Sequence, residues 1–249
     1  MDVELILLML VGFFAQLVDG ALGMAFGVIS TTTMLAMGMP AAQASALVHT
    51  AEIFTTGASG AWHIFHRNVD WRMTAQLAVA GVAGAVLGAW ILSNVDATFI
   101  RPFVSAYLLL IGVYILFKAV RLRPDQPPRN AWPGPVGLVA GFLDASGGGG
   151  WGPVATSWLV GVGLSPRQAI GSVNTAEFFV TVAAATTFLL EIGPSSLQQL
   201  VPLVLGGLFA APFGGWLVKL IPARALMIAV GLLIVALAVF QLVRRFVVS

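Results

Sequence analysis

The chain repeats itself 125 residues apart without a gap: Asp19 recurs as Asp144, Gly23 as Gly148, Gly27 as Gly152, Thr31 as Thr156 and Gly38 as Gly163. Gln43-Ala44 returns as Gln168-Ala169, Val48 as Val173, Thr50-Ala51-Glu52 as Thr175-Ala176-Glu177, Phe54 as Phe179 and Thr56 as Thr181. These are 13 identities in the 38 positions from Asp19 to Thr56. Apolar composition alone does not repeat Asp, Glu, Gln and Thr in register. In a hydrophobic chain such a block predicts a transporter of two structural repeats with its site where they meet.

The class follows from polarity. With 59% hydrophobic and 9% charged residues, the 249-residue chain lacks the polar surface of a soluble globule. Segments 20–51, 73–95, 102–117, 145–166, 192–218 and 225–243 contain no Asp, Glu, Lys or Arg. They approach or exceed the ~20 residues of a spanning helix and do not alternate as ~10-residue barrel strands do. The expected fold is an all-α integral membrane protein. A net charge of +2 without a basic tract gives no footing for nucleic acid, and zero cysteines exclude disulfides and thiolate-held metal centres. No cofactor or metal is expected.

Length predicts the architecture. Residues 4–38 as one helix would reach about 52 Å at ~1.5 Å per residue, against a bilayer core of ~30 Å. A hairpin of two short arms, broken at Asp19-Gly20 and again at 144–150, fits better, and irregular backbone at mid-membrane must be buried or line a cavity. Each half therefore reads as a broken-helix, re-entrant hairpin followed by three transmembrane helices. The first repeat is 1–120, with hairpin 4–38 and helices 41–64, 74–93 and 98–120. A proline-rich linker, 121–133, leads to the second, 134–249, with hairpin 134–163 and helices 166–190, 197–218 and 223–246. An odd number of crossings per half makes the repeats inverted.

Charge asymmetry orients them. A cytoplasmic linker places Arg67, Arg72, Lys118, Arg121, Arg123, Arg129, Arg167, Lys219 and Arg224 inside and Arg101, Arg244 and Arg245 outside, a split of nine to three. Asp2, Glu4, Asp96 and Glu191 then fall outside, as do both termini, and the membrane is the cell membrane, inner or plasma. The N-terminus has Asp2 and Glu4 where a signal peptide carries Lys or Arg.

Two motifs could carry chemistry. In Asp144–Pro153, glycines Gly147, Gly148, Gly149 and Gly150 let backbone amides approach a ligand, and the helix that follows offers free N–H groups and its positive dipole end to an anion. The first copy keeps Gly23 but has Leu22 and Met24 inside the tract. Close helix packing is the competing use of these glycines. The second motif pairs His49, Thr50 and Glu52 with Asn174, Thr175 and Glu177. At ~1.5 Å per residue from Pro40 and Pro166, His49 and Asn174 lie near the depth of the breaks. The carboxylates Asp19, Glu52, Asp144 and Glu177 are costly in a membrane and serve proton coupling or structure; capping a restarting helix suits Asp19 and Asp144. Trp151 could line the pathway, whereas Trp62, Trp71 and Trp132 read as interfacial anchors. Glycines 81, 84, 88, 206, 207, 214 and 215 form close-contact faces, either inside the protein or along a homodimer seam.

The duplicated glycine-rich broken helix followed by a helix with Asn-Thr, Asp144–Pro153 then Gly171–Glu177, with its twin Asp19–Gly27 then His49–Glu52, resembles the TauE/SafE family of sulfite and organosulfonate exporters. The resemblance implies export of sulfite or a small sulfonate from the cytoplasm, with the site at Gly147–Gly150, Asn174 and Thr175. Leu22, Met24 and His49 depart from the family's symmetrical pattern. Competing classes are a non-transporting membrane subunit or anion channel, and an intramembrane serine protease using Ser146 with His49.

Overall fold

A computed structural model describes residues 3–120, 132–213 and 222–248; the linker residues 121–131 and residues 214–221 lie outside the described residues, so Arg121, Arg123, Arg129, Gly214, Gly215 and Lys219 are not placed. All regular structure among the described residues is helical. The helices are α1 Val3–Leu22, α2 Phe26–Ala36, α3 Ala41–Phe65, α4 Trp71–Asn94, α5 Ala97–Val120, α6 Gly134–Gly147, α7 Trp151–Gly161, α8 Pro166–Ile192, α9 Leu197–Ala210 and α10 Ala223–Val248. Among the described residues, four contain spans long and apolar enough to cross a membrane: Glu4–Leu22, Trp71–Asn94, Pro102–Val120 and Pro166–Ile192.

Polarity is arranged inside out. Phe14, Val79, Leu110, Leu190 and Phe209 are exposed, while Asp19, His49, Glu52, Asp144, Asn174 and Glu177 are buried. Water would penalise such a surface; lipid does not.

The helices start and stop for local reasons. Asp70 Oδ1 accepts from the Arg72 and Met73 amides at 3.0 and 3.1 Å and opens α4. Gly23 and Gly148, equivalent in the duplication, have φ of +65° and +71°. Each donates its amide back to an aspartate carbonyl, Gly23 to Asp19 at 2.6 Å and Gly148 to Asp144 at 2.7 Å, ending α1 and α6 with a left-handed turn. The first break is therefore later than Asp19-Gly20: α1 runs on through Leu22, because the Asp19 carbonyl still closes a helical turn. The expected helix 197–218 departs from a regular α-helix within its described part, its residues 214–218 lying outside the described residues. α9 ends at Ala210 and tightens into a 3-10 turn, Ala211–Phe213, where Pro212 has no N–H to continue the α ladder.

Packing exchanges elements between the halves. α1 lies along α9 and α6 along α4, so each hairpin packs on the second of the three helices that follow the hairpin in the other half, while α3 pairs with α8 and α5 with α10. Glycines make the contacts close. A Cβ on Gly84 or Gly88 would strike the α6 backbone at Leu138 or Phe142, and one on Gly206 would strike α1 at Met9. Gly81 faces Trp151, and Gly207 faces Thr55 and Phe26. The glycine faces at 81, 84, 88, 206 and 207 are thus used inside the molecule.

α4 and α8 run parallel. At one end the Asp70 amide donates to Ser172 Oγ at 2.9 Å; at the other Asn94 Nδ2 donates to Glu191 Oε2 at 2.9 Å. Arg72 and Arg167 therefore share one end of the bundle, and Asp96 and Glu191 the other.

Candidate functional site

The site grows from the two aspartates. Asp19 Oδ1 accepts from the Ala25 amide at 2.8 Å and the Phe26 amide at 3.3 Å, where α2 restarts. Asp144 Oδ1 does the same one repeat later, accepting from Gly150 at 2.8 Å and Trp151 at 3.0 Å at the start of α7. Each carboxylate bridges its own break and caps the next helix, a favourable place for negative charge at the positive end of a helix dipole. The amides expected to face a ligand at Gly150 and Trp151 are thus already in use.

The two breaks touch. A Cβ added to Gly27 would lie 3.2 Å from Gly149 Cα and 3.0 Å from Glu52 Oε1, and Thr156 Oγ1 donates to the Gly23 carbonyl at 2.8 Å. Between them is a cleft lined by Asp19, Met24, Ala25, Gly27 and Val28 from the first half and by Asp144, Gly149, Gly150, Gly152, Pro153 and Glu177 from the second. It has room for about one water molecule. Gly27, Val28 and Gly152 sit in the first turns of α2 and α7, where helix geometry leaves amides unpaired.

α3 and α8 supply the surrounding polar groups. His49 Nδ1 lies 2.8 Å from the Ser45 carbonyl oxygen and Nε2 lies 3.1 Å from Asp144 Oδ2, so the imidazole spans from α3 to α6. Ser45 Oγ donates to the Ala145 carbonyl at 2.9 Å beside it. Glu52 is buried and its Oε2 has no partner among the described residues. One oxygen or nitrogen from each of His49, Glu52 and Asp144 falls within 4.8 Å of the others. His49 directs its ring nitrogens to Ser45 and Asp144, so hydrogen bonds link the members of this grouping to the helices around it. At the equivalent place Asn174 Nδ2 donates to Ser59 Oγ at 2.8 Å, and its buried Oδ1 has no partner among the described residues.

Several expected site residues lie elsewhere. Trp151 is fully buried, its indole N–H donating to the Val173 carbonyl at 3.2 Å, and it fills space against Gly81 instead of lining the cleft. Thr50 and Thr175 turn their hydroxyls back onto their own helix, to Ala46 at 2.6 Å and Gly171 at 2.7 Å. Gly147 packs under the Tyr107 ring and Gly148 against Thr31. Gly23 contributes its carbonyl. Ser146 Oγ donates to Phe142 at 2.6 Å, and His49 engages Ser45 and Asp144, so no nucleophile–base pair forms between Ser146 and His49.

Two contributors escaped the sequence reading. Tyr107 donates its hydroxyl to the Gly149 carbonyl at 2.9 Å, a position with no repeated partner to flag it. Gln241 donates to the Thr32 carbonyl and accepts from Ser105 Oγ, both at 2.9 Å, tying α10 to α2 and α5.

A family model described as sulfite exporter TauE/SafE matches residues 8–241. A relative from Bacillus subtilis (strain 168), named "Probable membrane transporter protein YtnM", is 40% identical over 255 residues, covering 99% of this chain and 85% of its own length. No solved structure matches the chain.

Proposed function

The chain belongs to the sulfite exporter TauE/SafE family of membrane transporters, and we propose that it exports a small sulfur oxyanion, sulfite, or a small organosulfonate from the cytoplasm. As a transporter it is not an enzyme, and the serine protease and non-transporting subunit readings fall. The substrate would bind between the two breaks, near mid-membrane.

One observation carries this reading: the N-termini of α2 and α7 converge from the two halves on one buried cleft. Two positive dipole ends and the amides near Gly27, Val28 and Gly152 suit oxygen atoms of a compact anion. The caps supplied by Asp19 and Asp144 mimic such oxygens. Among the described residues no Lys or Arg pairs with these carboxylates, so an anion would be held by dipoles and hydrogen bonds that also permit release. The cleft holds about one water, which fits a closed state that opens when the hairpins separate. Packing exchanged between halves supports inverted repeats rocking about the fixed site. The shared end of Arg72 and Arg167 supports the cytoplasmic linker, with both termini outside the cell membrane; a homodimer is compatible with the exposed apolar faces.

Flux measured on purified protein in liposomes, with sulfite, sulfate, acetate and a small sulfonate compared, tests the proposal. Saturable movement of sulfite or the sulfonate in preference to acetate is expected. Movement of none of the four would overturn it.

A further inference from the structure

The contact between His49 and Asp144 demands a proton of its own. His49 Nδ1 lies 2.8 Å from the Ser45 carbonyl oxygen and 3.3 Å from Ser45 Oγ, whose own hydrogen goes to the Ala145 carbonyl at 2.9 Å, so Nδ1 faces two acceptors, carries hydrogen and donates. A neutral imidazole then has a bare lone pair on Nε2. Yet Nε2 faces a carboxylate oxygen, Asp144 Oδ2, at 3.1 Å. That contact is attractive only when a proton lies on one partner, as imidazolium or as carboxylic acid.

We infer that His49 and Asp144 form a proton-binding site, occupied in the closed arrangement seen here, whose hold on its proton strengthens when an anion enters between the two helix breaks. The inference rests on the anion-transport reading above and adds which group couples it to protons. Asp144 connects the two events directly, because Oδ2 meets His49 while Oδ1 occupies the Gly150 and Trp151 amides. A proton shared with His49 weakens the hold of that carboxylate on the start of α7. The amides then become available to an arriving anion.

The surroundings make extra negative charge costly without a proton. Facing the pair are Glu52 from α3, Asp19 from α1 and Glu177 from α8, with Tyr107 of α5 above Gly149 and the Phe188 ring of α8 6.0 Å from the imidazole. All are buried except partly buried Tyr107, and among the described residues none is ion-paired to Lys or Arg. Four carboxylates beside one imidazole in a dry interior cannot all remain ionised, and an entering anion deepens the deficit. The duplication assigns the proton to one half. Asp19 caps α2 as Asp144 caps α7, but the residue equivalent to His49 is Asn174, bonded to Ser59 and unable to titrate.

Linkage fixes the sign: if anion binding favours the proton, the proton favours the anion by the same factor, so affinity falls as pH rises. One coupled proton changes the apparent Kd by up to about tenfold per pH unit where the pair titrates. The probe is isethionate, whose sulfonate stays ionised across about pH 5.5 to 8.5, the range in which histidine sites titrate. Calorimetry of the full chain in lipid nanodiscs, in two buffers of different ionisation heat, counts protons per bound anion. The expected count rises toward about one as pH is raised through the range in which the anion-free site gives up its proton, with affinity weakening toward high pH. His49→Asn, which copies the second repeat, should bind isethionate with no proton uptake and little pH dependence, while Glu52→Gln should keep the uptake. Wild-type binding that takes up no proton anywhere in that range overturns the inference whatever the variants do, and so does normal uptake by a folded His49→Asn protein. If neither isethionate, sulfite nor sulfate binds at all, the transport reading fails first, before any proton is counted.

Discussion

Gly149 of the second break lies against the backbone of Val28, in the first turn after the first break: a Cβ built on Gly149 would stand 2.5 Å from the Val28 amide nitrogen. Its φ of +147° is also one that side chains with a Cβ rarely adopt. Gly149→Ala is accordingly expected to destabilise the protein by about 2–4 kcal/mol. Gly161→Ala, with open space around it, should shift stability by no more than about 1 kcal/mol. Thermal unfolding in detergent reads both. Equal melting of the two variants would mean that the breaks are not in contact.

Asp19 bonds two amides of α2 from six and seven residues away. Asp19→Ala would leave both without their acceptor inside the membrane and is expected to cost about 2 kcal/mol. Asp19→Asn keeps an acceptor oxygen and should cost less. Denaturation of the two variants side by side checks the order; an alanine variant as stable as wild type would remove the capping role.

Among the described residues, the Asn174 side chain donates to Ser59 and keeps one buried oxygen without a partner. Asn174→Leu should lower anion flux at least about tenfold, a loss of roughly 1.4 kcal/mol or more in transition-state stabilisation. Ser59→Ala removes only the neighbour and should reduce flux less. Full flux through the leucine variant would take Asn174 out of the site.

The parallel α4–α8 pair places residues 66–72 and 191–196 at opposite ends of the bundle. With no native cysteine, single cysteines at Arg72 and Pro194 give an unambiguous labelling experiment in intact cells. Pro194→Cys should react with an impermeant maleimide from outside and Arg72→Cys only after lysis. Labelling of both from the same side would exclude a membrane-spanning α4–α8 pair and the inverted arrangement with it.

Membrane class, the all-helical fold and a transporter built on a duplicated block were legible in the residues themselves, because charge-free length and repeated polar positions are properties of the chain before it folds. The left-handed turns at Gly23 and Gly148 were not among these: the sequence marked the breaks at Asp19-Gly20 and 144–150, and the positive φ of the two glycines came with the structure. What each polar group touches was not legible either. Asp144 meets a histidine 95 residues away, Tyr107 reaches Gly149 across 42, and Trp151, singled out for the pathway, is taken up by packing against Gly81. Helix breaks depend on local torsion preferences, so sequence determined them to within a turn. Whether an amide faces a ligand or the protein's own carboxylate depends on side-chain reach across the fold, and only the tertiary structure decided that.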